Sequence, residues 1–242
     1  LASPRVAALF TVLPFFSGQM FTGLVRGGVI VMLAMFLAPA AGPLPEPGLA
    51  NVVLIAAKEA LIGAMLGLGF GVLIWAVQSM GDLIDIQTGS SSAEFFDPVG
   101  GHQGGRMGEL LGWLVVTLFV TAGGMLALVQ ALIDSFQLWP VASFVPRFDR
   151  VLELFAIHQG DTLLQWVVKL ALPVVMVLLL ADIGIGLVGR AAPQLDIFVF
   201  ALPVKQLLAL LMLILLMFYL YESLQVFLHP DNSVLRFLRG AI

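Results

Sequence analysis

Cysteine is absent from these 242 residues, which excludes disulfides and thiolate metal sites and leaves the redox compartment open. Charge is scarce as well. Lys, Arg, Asp and Glu together make up 11% of the chain, against about 25% in soluble domains. With 11 Lys+Arg and a net charge of −4, there is no basic patch of the size nucleic acid demands, so no nucleic-acid partner is expected. His102, His158 and His229 are the three histidines. They are scattered without metal-ligand spacing, and no metal or other cofactor is expected.

The space left by charge is taken by oil. Hydrophobic residues are 60% of the chain and the mean hydropathy is +1.07, whereas soluble domains are about 45–50% apolar. Apolar runs recur from end to end with no polar half, so residues 1–242 read as one membrane domain of the all-α class, a polytopic helical membrane protein. Six runs stand out: Val6–Phe16, Thr22–Ala38, Leu49–Met80, Leu110–Ile133, Leu163–Val188 and Ala201–Leu228. The first is short for a span, and no small-residue cleavage pattern follows it, so it does not read as a signal peptide. The third would reach about 48 Å at about 1.5 Å per residue, beyond a hydrocarbon core of about 30 Å, so it either tilts or projects into a protein assembly.

Pro14 and Pro173 interrupt two runs, where kinks or breaks are expected. Pro39, Pro43, Pro45 and Pro47 with Gly42 and Gly48 mark a stiff linker. Two longer connections remain, Gly81–Gly108 and Val141–Gln159. The second interleaves Arg147, Asp149, Arg150 and Glu153 with Phe148, Val151, Leu152 and Phe155, either an amphipathic surface helix or a solvated one. On six spans, Arg147, Arg150, Arg236 and Arg239 fall on one side and Arg106 and Arg190 on the other, a balance by which the positive-inside rule favours a cytoplasmic C-terminus, with its short basic tail 229–242.

Lys58, Glu59, Lys169, Asp182, Lys205 and Glu222 lie within or at the ends of apolar runs, where an unpaired charge costs at least about 2.5–3.5 kcal/mol. They must face protein or water. An ion or proton pathway is one reading; ion pairing within a crowded helical assembly is the other, and the one preferred. Lys58 and Glu59, near a helix start, could also snorkel. A stand-alone secondary transporter built on Lys169, Asp182 and Lys205 around Pro173 is the rival function, although no internal repeat supports it. Gly63, Gly67 and Gly71, spaced by four, present a smooth face for helix packing. Asp82, Asp161 and Asp182 do not reproduce the glycine-x-glycine-aspartate pattern of intramembrane proteases, and Gly89-Ser90-Ser91-Ser92 lacks a nucleophile setting. No enzymatic activity is expected.

The stretch from Gly81 through Gly101 joins small, pliable residues to the aromatic pair Phe95-Phe96 between two long apolar runs. At membrane depth it would be a constriction or plug, since irregular backbone survives there only when buried in protein or beside a water-filled path. Outside the membrane it would be an ordinary aqueous loop.

The segment Gln87 to Gly100, with Phe96-Asp97-Pro98, resembles the signature of the T subunit of the type III secretion export apparatus, whose flagellar counterpart is FliR. A second match is Gly189-Arg190-Ala191-Ala192-Pro193-Gln194-Leu195-Asp196-Ile197-Phe198, followed by Leu202-Pro203-Val204-Lys205. Order, spacing and flanking apolar runs agree across nearly the whole chain. Asp85 with Gly189 to Pro193 is closer to the injectisome branch than to the flagellar one.

The resemblance implies a non-catalytic subunit of the export gate in the bacterial inner membrane. It would assemble with R-type and S-type subunits, and with the U-type switch and V-type export-gate proteins, to pass unfolded substrates, with lipid around it. It further implies that 81–109 is a Gly/Phe-rich gate loop. Phe95, Phe96, Asp97, Pro98, Gly100 and Gly101 would form the plug, and Gly100, Gly101, Gly104 and Gly105 would give hinge freedom. Arg190, at a helix junction, would bind a neighbour's carboxylates or carbonyls. Asp85, Glu222 and the charges named above would serve assembly.

Overall fold

The computed structural model describes residues 3–14, 23–41, 49–89, 105–141, 148–192, 194 and 197–228. Among them every regular element is helical: α1 (Ser3–Val12), α2 (Gly23–Leu37) with a 3-10 turn over Ala38–Ala41, α3 (Leu49–Thr88), α4 (Arg106–Thr121), α5 (Gly124–Leu138), α6 (Phe148–Ala191) and α7 (Ile197–Leu228). Three of these, α3, α6 and α7, are long and apolar enough to cross a membrane, and α4 with α5 makes a fourth if the bent pair counts as one span. The expectation was about six long hydrophobic helices or helical hairpins; among the described residues three or four spans are found, and the side assignment built on six spans loses its basis.

The differences have local causes. The apolar run Leu110–Ile133 is not one straight helix: it is broken between α4 and α5, which meet at 69°. Gly123 adopts φ 86° there, a left-handed conformation that side-chain-bearing residues avoid. Gly124 seats its bare Cα on the Phe119 ring, where a Cβ would lie 2.6 Å from ring carbons. Pro173 does not break α6, and Pro203 lies within α7. Each proline removes a single amide donor, a loss that long packed membrane helices tolerate. Pro14, by contrast, follows the end of α1 at Val12. The separate surface helix expected within Val141–Gln159 is instead the start of α6, which runs on from Phe148. Likewise Gly81–Thr88, assigned to the 81–109 loop, forms the last turns of α3, and Arg106–Glu109 opens α4.

The helices group into two compact units. The first comprises Leu1–Val72, Phe119–Thr162 and Val226–Ile242. Its core holds Val6, Leu9 and Phe10 of α1, Ile62 and Leu66 of α3, and Leu128, Leu132 and Phe136 of α5, all nearly or wholly buried. Phe70 meets Phe119 and Phe227 edge to face at 6.3 and 6.4 Å between centroids, the arrangement ring quadrupoles favour. α1 lies so close to α3 that a Cβ on Gly63 would collide with the Arg5 main chain, and one on Gly67 would lie 2.9 Å from Val12 Cβ. Gly71 is buried further along α3. Arg26 of α2 donates to the Phe10 carbonyl of α1 at 3.3 Å.

The second unit comprises Leu73–Leu118 and Leu163–Gln225. Here α3 and α4 pack along a glycine seam. A Cβ on Gly81 would fall 2.5 Å from Gly108 Cα, one on Gly108 would strike the Asp82 carboxylate, and one on Gly112 would lie 2.5 Å from Gln78 Nε2. Such bare surfaces let two backbones approach closely. Leu170, Val174 and Leu178 of α6 are buried within this unit, while Leu172, Met176, Leu180, Ile183 and Leu187 are exposed.

Candidate functional site

Among the described residues, the buried charges and their partners form two clusters. In the first unit, Arg5 is fully buried, and its guanidinium makes four hydrogen bonds. Nε donates to Glu59 Oε2 at 2.7 Å and Nη2 to Glu59 Oε1 at 3.0 Å. Nη1 donates to Ser135 Oγ at 2.8 Å, and Nη2 also reaches the Trp139 carbonyl at 2.9 Å. The plane stacks on Phe136, 4.0 Å from the ring centroid. This bidentate fork is the geometry that suits arginine and not lysine. Lys58 Nζ stands 3.1 Å from Glu59 Oε1 and donates to the carbonyls of Pro140 and Val141 at 2.9 and 3.0 Å. Lys58 and Glu59 are therefore not snorkelling; they are buried, and with Arg5 they tie α1, α3 and the end of α5 together.

The second cluster lies at the C-terminal end of α3 and the start of α4. Asp85, 4% exposed, accepts from the amides of Met107 and Gly108 at 2.8 and 3.3 Å. The first amides of a helix have no partner inside it, so Asp85 caps α4 from another helix and places a negative charge at its positive end. A Cβ on Gly105 would occupy the position of that carboxylate. Gly105 is thus held by close packing, not placed as a free hinge. α3 ends at Thr88, and Gly89 after it has φ 77° and donates to the Ile86 carbonyl at 3.2 Å.

In the last turn of α3, Lys205 of α7, ion-paired with Asp182 of α6, donates to the Gln87 main-chain carbonyl at 3.3 Å. The Gln87 side chain donates to Asp182 at 3.4 Å. Lys169 does not join them. It is exposed on α6, 5.8 Å from the Trp166 ring centroid, and about 20 Å of helical rise separates it from Asp182. The three residues of the transporter reading are therefore not one site. Asp182 is engaged by Lys205, and Asp82 faces Gly108, so neither is set as half of a protease pair. Arg190, in the last turn of α6, and Glu222 of α7 are exposed. Phe95, Phe96, Asp97, Pro98, Gly100 and Gly101 lie outside the described residues, as does the tail 229–242.

Sequence reasoning missed Arg5, Ser135 and the glycine seam of Gly81, Gly105, Gly108 and Gly112. Arg5 stands just before the apolar run at Val6 and reads as a flank. Its depth is visible only once α5 is packed beside it. The seam did leave a signal, the spacing Gly105-x-x-Gly108-x-x-x-Gly112.

These features belong to a chain with close relatives in sequence. Yop proteins translocation protein T of Yersinia pestis is 34% identical over 238 residues, covering 97% of this chain and 89% of the relative. Surface presentation of antigens protein SpaR of Salmonella typhimurium is 30% identical over 217 residues, 89% of this chain and 81% of the relative. Flagellar biosynthetic protein FliR of Bacillus subtilis is 31% identical over 215 residues, with shares of 88% and 83%. Residues 1–229 match the bacterial export proteins, family 1. The chain belongs to that family, the T-type subunits of type III secretion and flagellar export, which are export-apparatus proteins and not enzymes.

Proposed function

We propose that this chain is the T-type core subunit of a type III secretion export gate. It would line part of the channel through which unfolded proteins cross the bacterial inner membrane, with R-type and S-type subunits around it and the U-type and V-type proteins adjoining. The observation that carries this reading is the length of apolar surface left uncovered. Exposed large apolar residues run from Ile157 to Val188 on α6 and from Val199 to Val226 on α7, about 46 Å and about 40 Å of helical rise. A hydrocarbon core of about 30 Å covers neither. Tilt alone would have to exceed the usual range of about 0–40° to absorb the excess, so the excess favours a cover of other protein, which a stand-alone transporter would not need. The names of the relatives, a Yop translocation protein and a flagellar biosynthetic protein, agree with a role in export.

In this reading the connection 90–104 carries the plug residues Phe95 to Gly101, and its two ends are rooted in the second charge cluster. The aromatic pair closes the passage by packing and yields to a moving chain. The test is co-expression with the R-type and S-type subunits and native mass spectrometry of the purified complex. A discrete complex with this chain in it is the expected outcome. A stable lone monomer or homo-oligomer that ignores those subunits would overturn the proposal.

A further inference from the structure

The two ends of the 90–104 connection are held in the same manner with opposite signs. At the return end, the Asp85 carboxylate sits on the first amides of α4. At the departing end, the Lys205 ammonium sits on the Gln87 carbonyl, one of the last carbonyls of α3, which have no partner inside the helix. Each charge matches the helix end it meets, negative at an N-terminus and positive at a C-terminus. Each is supplied by a different helix. Lys205 is itself aimed by Asp182, and Asp182 also accepts from the Gln87 side chain. Gln87, Asp182 and Lys205 therefore form a closed triangle in which each residue bonds the other two. Leu202, one turn before Lys205, lies against the end of α3, 3.1 Å from where a Cβ on Gly89 would stand.

We propose that Asp182 and Lys205 are positioning residues. They clasp the C-terminal turn of α3 and so set the point and direction from which the connection to α4 departs. Their significance for export rests on the reading of that connection as lining the passage. The geometry favours this over a proton pathway, because the pair's polar atoms are directed at a helix end and its own side chain. Lys205 is the better covered partner, at 16% side-chain exposure against 37% for Asp182, as expected of the residue that does the capping. The charged groups that meet at this place are Asp182 of α6 and Lys205 of α7, and α3 contributes the polar Gln87.

The absence of cysteine makes the test direct. Spin labels on Ile86→Cys and Val204→Cys, both exposed positions on the two clasped helices, report the separation of the α3 end from α7. The measurement is double electron–electron resonance on the assembled export complex in nanodiscs. The parent should give one narrow distance. Lys205→Met should add a longer population, shifting the clasped-to-released ratio by roughly three- to tenfold, the loss expected for one interhelical hydrogen bond in a membrane protein. Asp182→Asn, which keeps the shape and loses the charge, should give a smaller shift, and Lys205→Arg should restore the narrow distance. An unchanged distance in both Lys205→Met and Asp182→Asn would overturn the clasp, whatever happens to secretion. A lengthened distance with unchanged membrane leak and export would uphold the clasp and instead overturn the reading of the connection as passage-lining.

Discussion

Replacing Arg5 by Met should destabilise the first unit more than any exposed charge could, and the structure allows the size to be worked. The substitution keeps much of the side-chain length and leaves Glu59, fully buried, without its bidentate partner. Breaking a buried pair by removing one member costs about 3–5 kcal/mol. Interhelical hydrogen bonds in membrane proteins average only about 0.6 kcal/mol each, which for the four Arg5 bonds gives about 2 kcal/mol. Lys58 stays 3.1 Å from Glu59 and offsets part of the exposed charge imbalance. The expected loss is therefore about 2–4 kcal/mol. Arg5→Lys should fall between the parent and Arg5→Met, because it keeps the charge and loses the fork.

The double variant Arg5→Met/Glu59→Leu separates this reasoning from simple loss of packing. With both charges gone, no buried carboxylate is left unpaired, and such replacements are often near neutral. The double should be less destabilised than the two singles added together. Denaturation in mixed micelles, followed by tryptophan fluorescence, reports the event, since Trp139 is 3% exposed and its carbonyl accepts from Arg5. A loss under about 0.5 kcal/mol for Arg5→Met, the level of an exposed pair, would refute the argument, and so would additive singles.

Gly63→Leu should lower stability by about 1–3 kcal/mol or prevent α1 from docking, whereas Gly160→Ala, which meets open space, should be neutral or stabilising by up to about 1 kcal/mol; melting temperatures of the two in detergent check the contrast. Asp85→Ala should cost about 0.5–2 kcal/mol and speed hydrogen exchange at the Met107 and Gly108 amides; unchanged protection there would remove the cap. Deleting Phe95–Gly101 should make cells carrying the assembled apparatus leak ions, and an unchanged conductance would discard the plug reading.

How much of this was legible depended on whether a residue's partner lay nearby in the chain. Apolar runs mark helices wherever the helix is apolar throughout, which is why α7 was visible in the run Ala201–Leu228 and the core of α6 in Leu163–Val188. The bend between α4 and α5 was not, because the run Leu110–Ile133 continues without a charged residue at the break and only Gly123-Gly124 marks it. The end of α3 failed for the opposite reason. Asp82, Asp85 and Gln87 end the apolar run after Met80, yet the helix goes on to Thr88. Polar residues close a membrane helix only when they must reach water to be satisfied. Here Asp85 is satisfied by the amides of α4, and Gln87 by Lys205 and Asp182, so α3 continues beyond its apolar run. The same condition explains Arg5, whose charge reads as a boundary until Glu59, Ser135 and Trp139 are brought to it. In a chain this poor in charge, the polar residues that look like interruptions are the ones that tie helices together.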